Sequence, residues 1–367
     1  MDPHRQRALV RAEKPELVIL DTEELNAETP VDLLDSDITP VERLFVRNTG
    51  TMPAVAAATA WTFAIDGCVR LARTWTLPDL ARQFATVTEA SVLECAGNGR
   101  AFFSDPAGTV LWRHGAAGCV AWTGVRLADV LDACGVLPEA VYTAHHSPDL
   151  RLDGRGPALS RGVPIAKALA PETLLCWAAN GAPLPALHGG PLRLIVPGFP
   201  GSASQKWITR LEVRDREHDG ERMRHLYYRL PRRPLRYGDP IDPEEFDVIT
   251  DMPPRAIITS PRAGHVAGSG RPLAVRGFAW SGHVSVATVE VSPDGGRAWR
   301  VATLAPVRDR FAWRRFETMF DDLPRGPFEL VARTSDADGR AQPLASASWN
   351  PRGYCNNTVH RLTGLVR

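Results

Sequence analysis

From residue 251 onward the apolar residues fall into short alternating runs, with no helical spacing between them. The runs are Ala256 to Thr259, Leu273 to Trp280, Thr288 to Ser292, Trp299 to Leu304, Trp313 to Met319 and Phe328 to Thr334. Each presents one apolar face, as a half-buried strand does. Turn chemistry separates them, with Asp294-Gly295-Gly296 suited to a hairpin and Asp336-Ala337-Asp338-Gly339 to a loop. Strands at this spacing predict an all-β, immunoglobulin-like sandwich over 251–367. The residues just before it, 229–254, are proline-rich and lack periodicity, which predicts a linker or surface crossing with a domain boundary near Thr250.

Upstream the pattern is mixed. Leu77 to Phe84, preceded by the capping residue Thr76, and Leu127 to Cys134, ended by Gly135, predict helices. Leu44 to Arg47, Trp61 to Val69, Ser91 to Cys95, Pro191 to Pro197 and Trp207 to Val213 predict strands, Trp61 to Val69 with a turn signal at Asp66-Gly67. The first forty residues are rich in Glu, Asp and Pro, and their weak periodicity predicts a surface wrap. This is an α+β pattern. A chain of 367 residues also exceeds what one core usually organises, so two domains are expected, 1–250 and 251–367.

Charge excludes several classes of function. Lys and Arg total 43 against 42 for Asp and Glu, so no global field favours nucleic acid or an anionic membrane. No apolar run reaches the ~20 residues of a membrane span. The N-terminus reads as neither a Sec nor a Tat signal, so a cytoplasmic location is expected. Six cysteines occur without a Cys-x-x-Cys pair, which argues against a zinc tetrad, an iron–sulfur cluster or a disulfide scaffold. The adjacent His145 and His146 would point to opposite faces of a strand, which suits a structural role or at most one cofactor neighbour.

Two segments carry chemistry. Leu93-Glu94-Cys95-Ala96-Gly97-Asn98-Gly99-Arg100 sets a thiol at a strand end, on a glycine loop beside a cation. That surrounding favours the thiolate, the form that binds soft metals. The residues alone suit a structural loop cysteine equally well. The second segment is the loop from Pro197 to Ser204, small and glycine-bearing, flanked by Arg193 and Lys206. Small residues there would let backbone approach an anionic group between two cations, though each residue taken alone suits a surface cation and an ordinary turn.

Cys-Ala-Gly-Asn-x-Arg resembles the molybdenum-ligand motif of the sulfite oxidase family. Asn26 to Pro30, Phe45-Val46-Arg47-Asn48, His188 to Arg193, Val196-Pro197-Gly198, Lys206-Trp207, Trp349 to Gly353 and His360-Arg361 resemble that family's segments in collinear order. The resemblance implies a sulfite-oxidase-type molybdopterin domain followed by a sandwich that pairs two subunits. It implies Cys95 as metal ligand, and Phe45, Arg47, Asn48, Cys95, His188, Arg193, Ser204 and Lys206 as contacts to the molybdenum-molybdopterin cofactor. For catalysis it implies Arg47, Arg100 and Arg361 around the oxyanion with Tyr228 at the metal, Tyr227 being the alternative tyrosine. Arg161 reads as a solvated surface residue. The implied reaction is oxidation of sulfite to sulfate by oxo transfer. No haem or flavin motif is present, so an external acceptor, a cytochrome c-like protein or oxygen, is expected. Thr49 and Gly99 depart from many animal and plant members, which have histidine and a second arginine there. That departure leaves nitrate or sulfoxide reduction as the alternative, and a non-catalytic immunoglobulin-like binding protein as the remote one.

Overall fold

The computed structural model describes residues 1–20, 23–54, 57–106, 110–345 and 347–367. Thr76 opens the helix Leu77–Gln83 with a reciprocal cap: its hydroxyl accepts from the Asp79 amide, and the Asp79 carboxylate accepts from the Thr76 amide. The helix Leu127–Cys134 ends where Gly135 turns left-handed (φ 69°) and donates back to Leu131 and Asp132. Both helices match the sequence expectation within a residue. They pack between two sheets. One runs Arg73–Thr76, Thr62–Gly67, Arg210–Arg214, Tyr142–His146, with Thr62–Gly67 and Arg210–Arg214 parallel. The other runs Ala182–Pro183, Leu174–Ala179, Ala117–Arg126, Thr86–Glu94, with Arg193–Ile195 also on Leu174–Ala179. Phe63, Ile65, Leu211, Leu80, Val130, Val125, Leu175 and Leu194 from these elements share one apolar cluster.

The first forty residues are not a surface wrap. Asp2 caps a helix at Pro3–Glu13, whose only buried residues are Gln6 and Val10, so no apolar stripe announces it. Leu25–Glu28 is a wholly buried strand that pairs with Val46–Asn48, Asn26 opposite Arg47.

Residues 255–366 form two packed sheets. One has the order Arg255–Ser260, Leu273–Trp280, Arg314–Phe320, Thr303–Leu304; the other runs His265–Ala267, His360–Val366, Gly326–Asp336, Val286–Ser292, Arg300–Val301. Ile258, Val275 and Phe316 from the first meet Val289, Leu330 and Leu362 from the second. The run Trp299 to Leu304 splits into Arg300–Val301 and Thr303–Leu304, which lie in different sheets. His265–Ala267 and His360–Val366, absent from the sequence expectation, pair in parallel. The proline-rich stretch holds a small antiparallel pair, Arg229–Pro231 with Phe246–Val248.

A buried polar knot joins the halves. Arg255 Nε lies 2.9 Å from Glu94 Oε1, with side chains 2% and 3% exposed. Trp280 Nε1 donates to Glu94 Oε2 at 2.7 Å, Asn98 Nδ2 to Glu94 Oε1 at 2.9 Å, and Arg255 Nη2 to the carbonyls of Asn98 (3.1 Å) and Asn356. Losing one member of such a pair strands the other charge in the interior. Glu94→Gln should therefore lower unfolding stability by about 3–5 kcal/mol in urea melts, and Glu94→Gln with Arg255→Met should recover part of the loss.

Acid should also loosen the interior at two buried histidines. His218 and His360 are held down to about 4, first by burial and then by Arg214 and Arg255 respectively. Unfolded, each titrates near 6.5. Between those values the unfolded chain binds protons that the folded chain refuses, so stability falls as pH drops from 6.5 towards 4. The slope is about 1.4 kcal/mol per pH unit for each histidine. Urea midpoints should decline across that window, and His360→Asn should make the decline shallower.

Candidate active site

The strand Thr86–Glu94 stops at Cys95, and the loop after it is built from its own polar groups. The Cys95 amide donates to Ala116 O (2.9 Å), the Asn98 amide to Cys95 O (2.9 Å) and the Ala116 amide to Asn98 Oδ1 (3.2 Å). Gly97 lets the Arg100 side chain fold back over the loop, because a Cβ there would lie 2.6 Å from Arg100 Nη2. Gly99 sits at φ 84° with a Cβ position 2.6 Å from Asn356 O, so a side chain at this position is strained. The partly buried Cys95 is one of four residues, with Arg47, Thr49 and Tyr228, that line both of two adjoining cavities.

The inner cavity, about 690 Å³, is lined by all eight residues expected to hold a cofactor: Phe45, Arg47, Asn48, Cys95, His188, Arg193, Ser204 and Lys206. Arg47 pairs with Glu24, but two of the cavity's other cations lack a contacting counter-charge. Among the described residues neither Arg193 nor Lys206 has a carboxylate within 4.0 Å; Arg193 donates to the carbonyls of Ser204 (3.2 Å) and His188 (3.0 Å), and Lys206 to Asn48 Oδ1 (2.5 Å) and Leu187 O (2.6 Å). Burial pushes Arg193 down to about 9 and Lys206 well below the usual lysine range. His188 Nε2, Ser202 Oγ and Gln205 Oε1, all on the cavity wall, are buried without a hydrogen-bond partner. Unpaired buried cations and unused polar atoms on one concave wall call for an anionic, hydrogen-bonding ligand. The N-terminal helix shapes this wall: Gln6 Oε1 accepts from Asn48 Nδ2 at 2.8 Å, leaving Asn48 Oδ1 for Lys206.

The outer cavity, about 1810 Å³, opens on the other side of Cys95 and holds Arg47, Arg100, Arg151, Arg222 and Arg352 with Tyr227, Tyr228 and Tyr354. Tyr228 contacts a guanidinium and a ring, with Arg161 Cζ 4.4 Å from its centroid and Tyr354 stacked at 5.1 Å. Tyr227 lines only the outer cavity, 4.1 Å below Arg352.

Two expectations need correction. Arg361 lines neither cavity: it lies on the strand His360–Val366, opposite Val331, and pairs with Glu329 at 3.2 Å on the sheet surface. Arg352, from the turn before that strand, occupies the cavity instead. Strand period could have told them apart, since in His360-Arg361-Leu362 the flanking residues are buried and Arg361 faces out. Arg161 is not solvated: it is 1% exposed and donates to Arg222 O and Met223 Sδ. His145 is buried against Thr143, His146 is half-buried beside Glu212, and neither lines these cavities. Sequence reasoning took Ser202 only as a small loop residue and missed Gln205, Arg222 and Tyr354; Gln205 sits just past the anion-suited loop, while the other two carried no local signal.

Residues 49–222 match the family described as the oxidoreductase molybdopterin binding domain, and residues 246–364 the Mo-co oxidoreductase dimerisation domain. Sulfite oxidase from Gallus gallus is 32% identical over 374 residues, covering 98% of this chain and 78% of that protein. The chain belongs to the sulfite oxidase family. Sulfite oxidase from Arabidopsis thaliana is 30% identical, with 95% of this chain and 93% of that protein covered. The fold agrees: the sulfane dehydrogenase SoxCD from Paracoccus pantotrophus superposes with a TM-score of 0.79 at 26% identity, over 98% of this chain and 89% of that one. The protein is thus a molybdopterin-dependent oxidoreductase, and the cation-rich inner wall fits a pterin bearing a phosphate.

Removing one of the unpaired cations should cost cofactor. Lys206→Met is expected to lower the molybdenum retained on purification at least about tenfold, the factor that roughly 1.4 kcal/mol of lost anion binding produces. Elemental analysis of protein folded as judged by circular dichroism checks it.

Proposed function

We propose that this protein oxidises sulfite to sulfate at a molybdenum cofactor seated in the inner cavity, with Cys95 as the protein's metal ligand. The observation that carries the reading is the position of Cys95: its thiol stands where a pterin cavity and an arginine-lined cavity meet. Phe45, Arg47, Asn48, His188, Arg193, Ser204 and Lys206 would hold the pterin and its phosphate. When bound, that group supplies two-electron redox chemistry coupled to oxygen transfer. The balance is sulfite plus water going to sulfate, two protons and two electrons.

The chain's own residues do the rest. Arg100 and Arg352 draw the oxyanion to the outer side of Cys95, and Arg47 borders both compartments. Arg100 donates to the carbonyls of Val110 (2.9 Å) and Gly353 (3.3 Å), so its charge is fixed before substrate arrives. Tyr228 is favoured over Tyr227 as the active-site tyrosine because it alone of the two lines both cavities. Leu93, Leu159 and Phe45 add apolar surface to the inner wall and limit water there.

The electrons pass to an external acceptor, a cytochrome c-like protein or oxygen. Residues 1–250 form the catalytic unit, and 251–367 an immunoglobulin-like unit that pairs two copies into a homodimer. The cytoplasm is the compartment assigned to it. A second reading, a reduced sulfur atom carried on a larger molecule, draws on the breadth of the outer cavity and on the likeness to a sulfane dehydrogenase.

Molybdenum-loaded protein should oxidise sulfite with a dye acceptor and turn over nitrate or methionine sulfoxide far more slowly. Cys95→Ser should abolish the activity. Arg352→Met should raise KM for sulfite about tenfold or more, as loss of one charge-assisted contact does. Nitrate or sulfoxide reduction faster than sulfite oxidation would sink the proposal.

A further inference from the structure

Five arginines line the outer cavity, and their partners divide them. Arg151 is matched by Asp153 at 3.3 Å and Glu221 at 3.8 Å. Glu24 bridges Arg47 at 2.5 Å and Arg222 at 3.0 Å. Arg100 and Arg352 meet no carboxylate within 4.0 Å among the described residues, and are the charges an oxyanion meets undiluted.

Glu24 is therefore a carboxylate set inside an anion site. It immediately precedes the strand Leu25–Glu28, whose register on Val46–Asn48 sets Asn26 opposite Arg47, so backbone pairing fixes where the carboxylate stands. The bridge joins residues 24 and 222, distant in sequence, on the lining of the cavity. Its three side chains are each about one-fifth exposed: Glu24 21%, Arg47 19% and Arg222 23%. All three line the cavity, so an anion there feels the carboxylate along with the guanidiniums.

We propose that Glu24 is a specificity-determining residue of the outer cavity. Its carboxylate withdraws Arg47 and Arg222 from the substrate, lowers the net positive charge of the site, and so limits how tightly a doubly charged oxyanion is held. Coulomb energy is proportional to ligand charge, so the penalty on a dianion is twice that on a monoanion at the same place. A dianionic product is then released rather than retained, and the two unpaired arginines set the order of preference among oxyanions. The inference rests on the reading of this cavity as an oxyanion site.

Glu24→Gln removes the charge and keeps an acceptor oxygen for Arg47. Calorimetry of sodium sulfate and sodium nitrate binding to the molybdenum-loaded protein at low ionic strength should show sulfate bound about tenfold more tightly than by the wild type, and nitrate about threefold. The difference should shrink with added salt. Glu24→Asp, which keeps the charge, should stay near the wild type, and Glu24→Ala should show the same order as Glu24→Gln. Equal factors for the two anions, or weaker sulfate binding in both uncharged variants, would overturn the proposal; weaker binding would make the bridge a scaffold for Arg47. Tighter sulfate binding in a protein inactive on sulfite would overturn the functional reading alone. Sulfite turnover with unchanged sulfate affinity would overturn this inference alone.

Discussion

Glu94 and Arg255 meet in a nearly waterless interior, one residue from Cys95 in one half of the chain and at the first strand of the sandwich in the other. Taking both charges out of water is costly, and the cost is recovered only if every remaining polar position is filled. Here Trp280 and Asn98 donate to the carboxylate and two carbonyls accept from the guanidinium, while Arg255 Nε faces Glu94 as a charge contact without a hydrogen bond. The pair and its hydrogen bonds tie the Cys95 loop to the first strands of the sandwich. The same loop is held again by the Cys355 amide on Ala96 O at 2.8 Å and by Arg100 on Gly353. The second domain is therefore part of the site as well as a surface for pairing: it supplies the turn that carries Arg352 and Tyr354.

The inner cavity obeys the opposite rule. Where the domain junction has every charge matched, the pterin wall keeps Arg193 and Lys206 buried with carbonyls and amide oxygen for company. Carbonyl dipoles soften a buried cation without neutralising it, which is why both groups titrate below their usual range. A protein without ligand thus holds electrostatic stress at this wall, and an anionic ligand relieves it. Tight cofactor binding and a destabilised empty protein have one cause here.

Much of this was legible in the sequence where local chemistry decides the outcome. The helix caps at Thr76 and Gly135, the alternating strands after residue 251, and the small-residue loop between Arg193 and Lys206 all follow from short-range rules. The helix Pro3–Glu13 was illegible because it buries only Gln6 and Val10 and so has no apolar face to read. Arg161 was misread for a related reason: nothing adjacent to it hints that its guanidinium will be covered by Tyr228 and by the backbone of Arg222, some sixty positions away. Partners from distant segments decide burial of a charge, and no window of sequence contains them.

The aromatic column beneath the site shows how the two domains share one geometry. Tyr228 has a left-handed backbone (φ 53°), which costs energy in a residue with a bulky side chain. Its ring meets the Arg161 guanidinium at 4.4 Å and stacks on Tyr354, 9° from parallel, while Arg100 lies 5.6 Å from the Tyr354 centroid. Two cations thus contact a stacked pair of rings, an arrangement that the negative π-faces favour. Arg161 and Tyr228 come from the catalytic half and Tyr354 from the tail of the sandwich. Neither half alone can build the column, and a strained Tyr228 is tolerable only when both are present. The position of the tyrosine at the meeting of the two cavities is therefore a property of the whole chain.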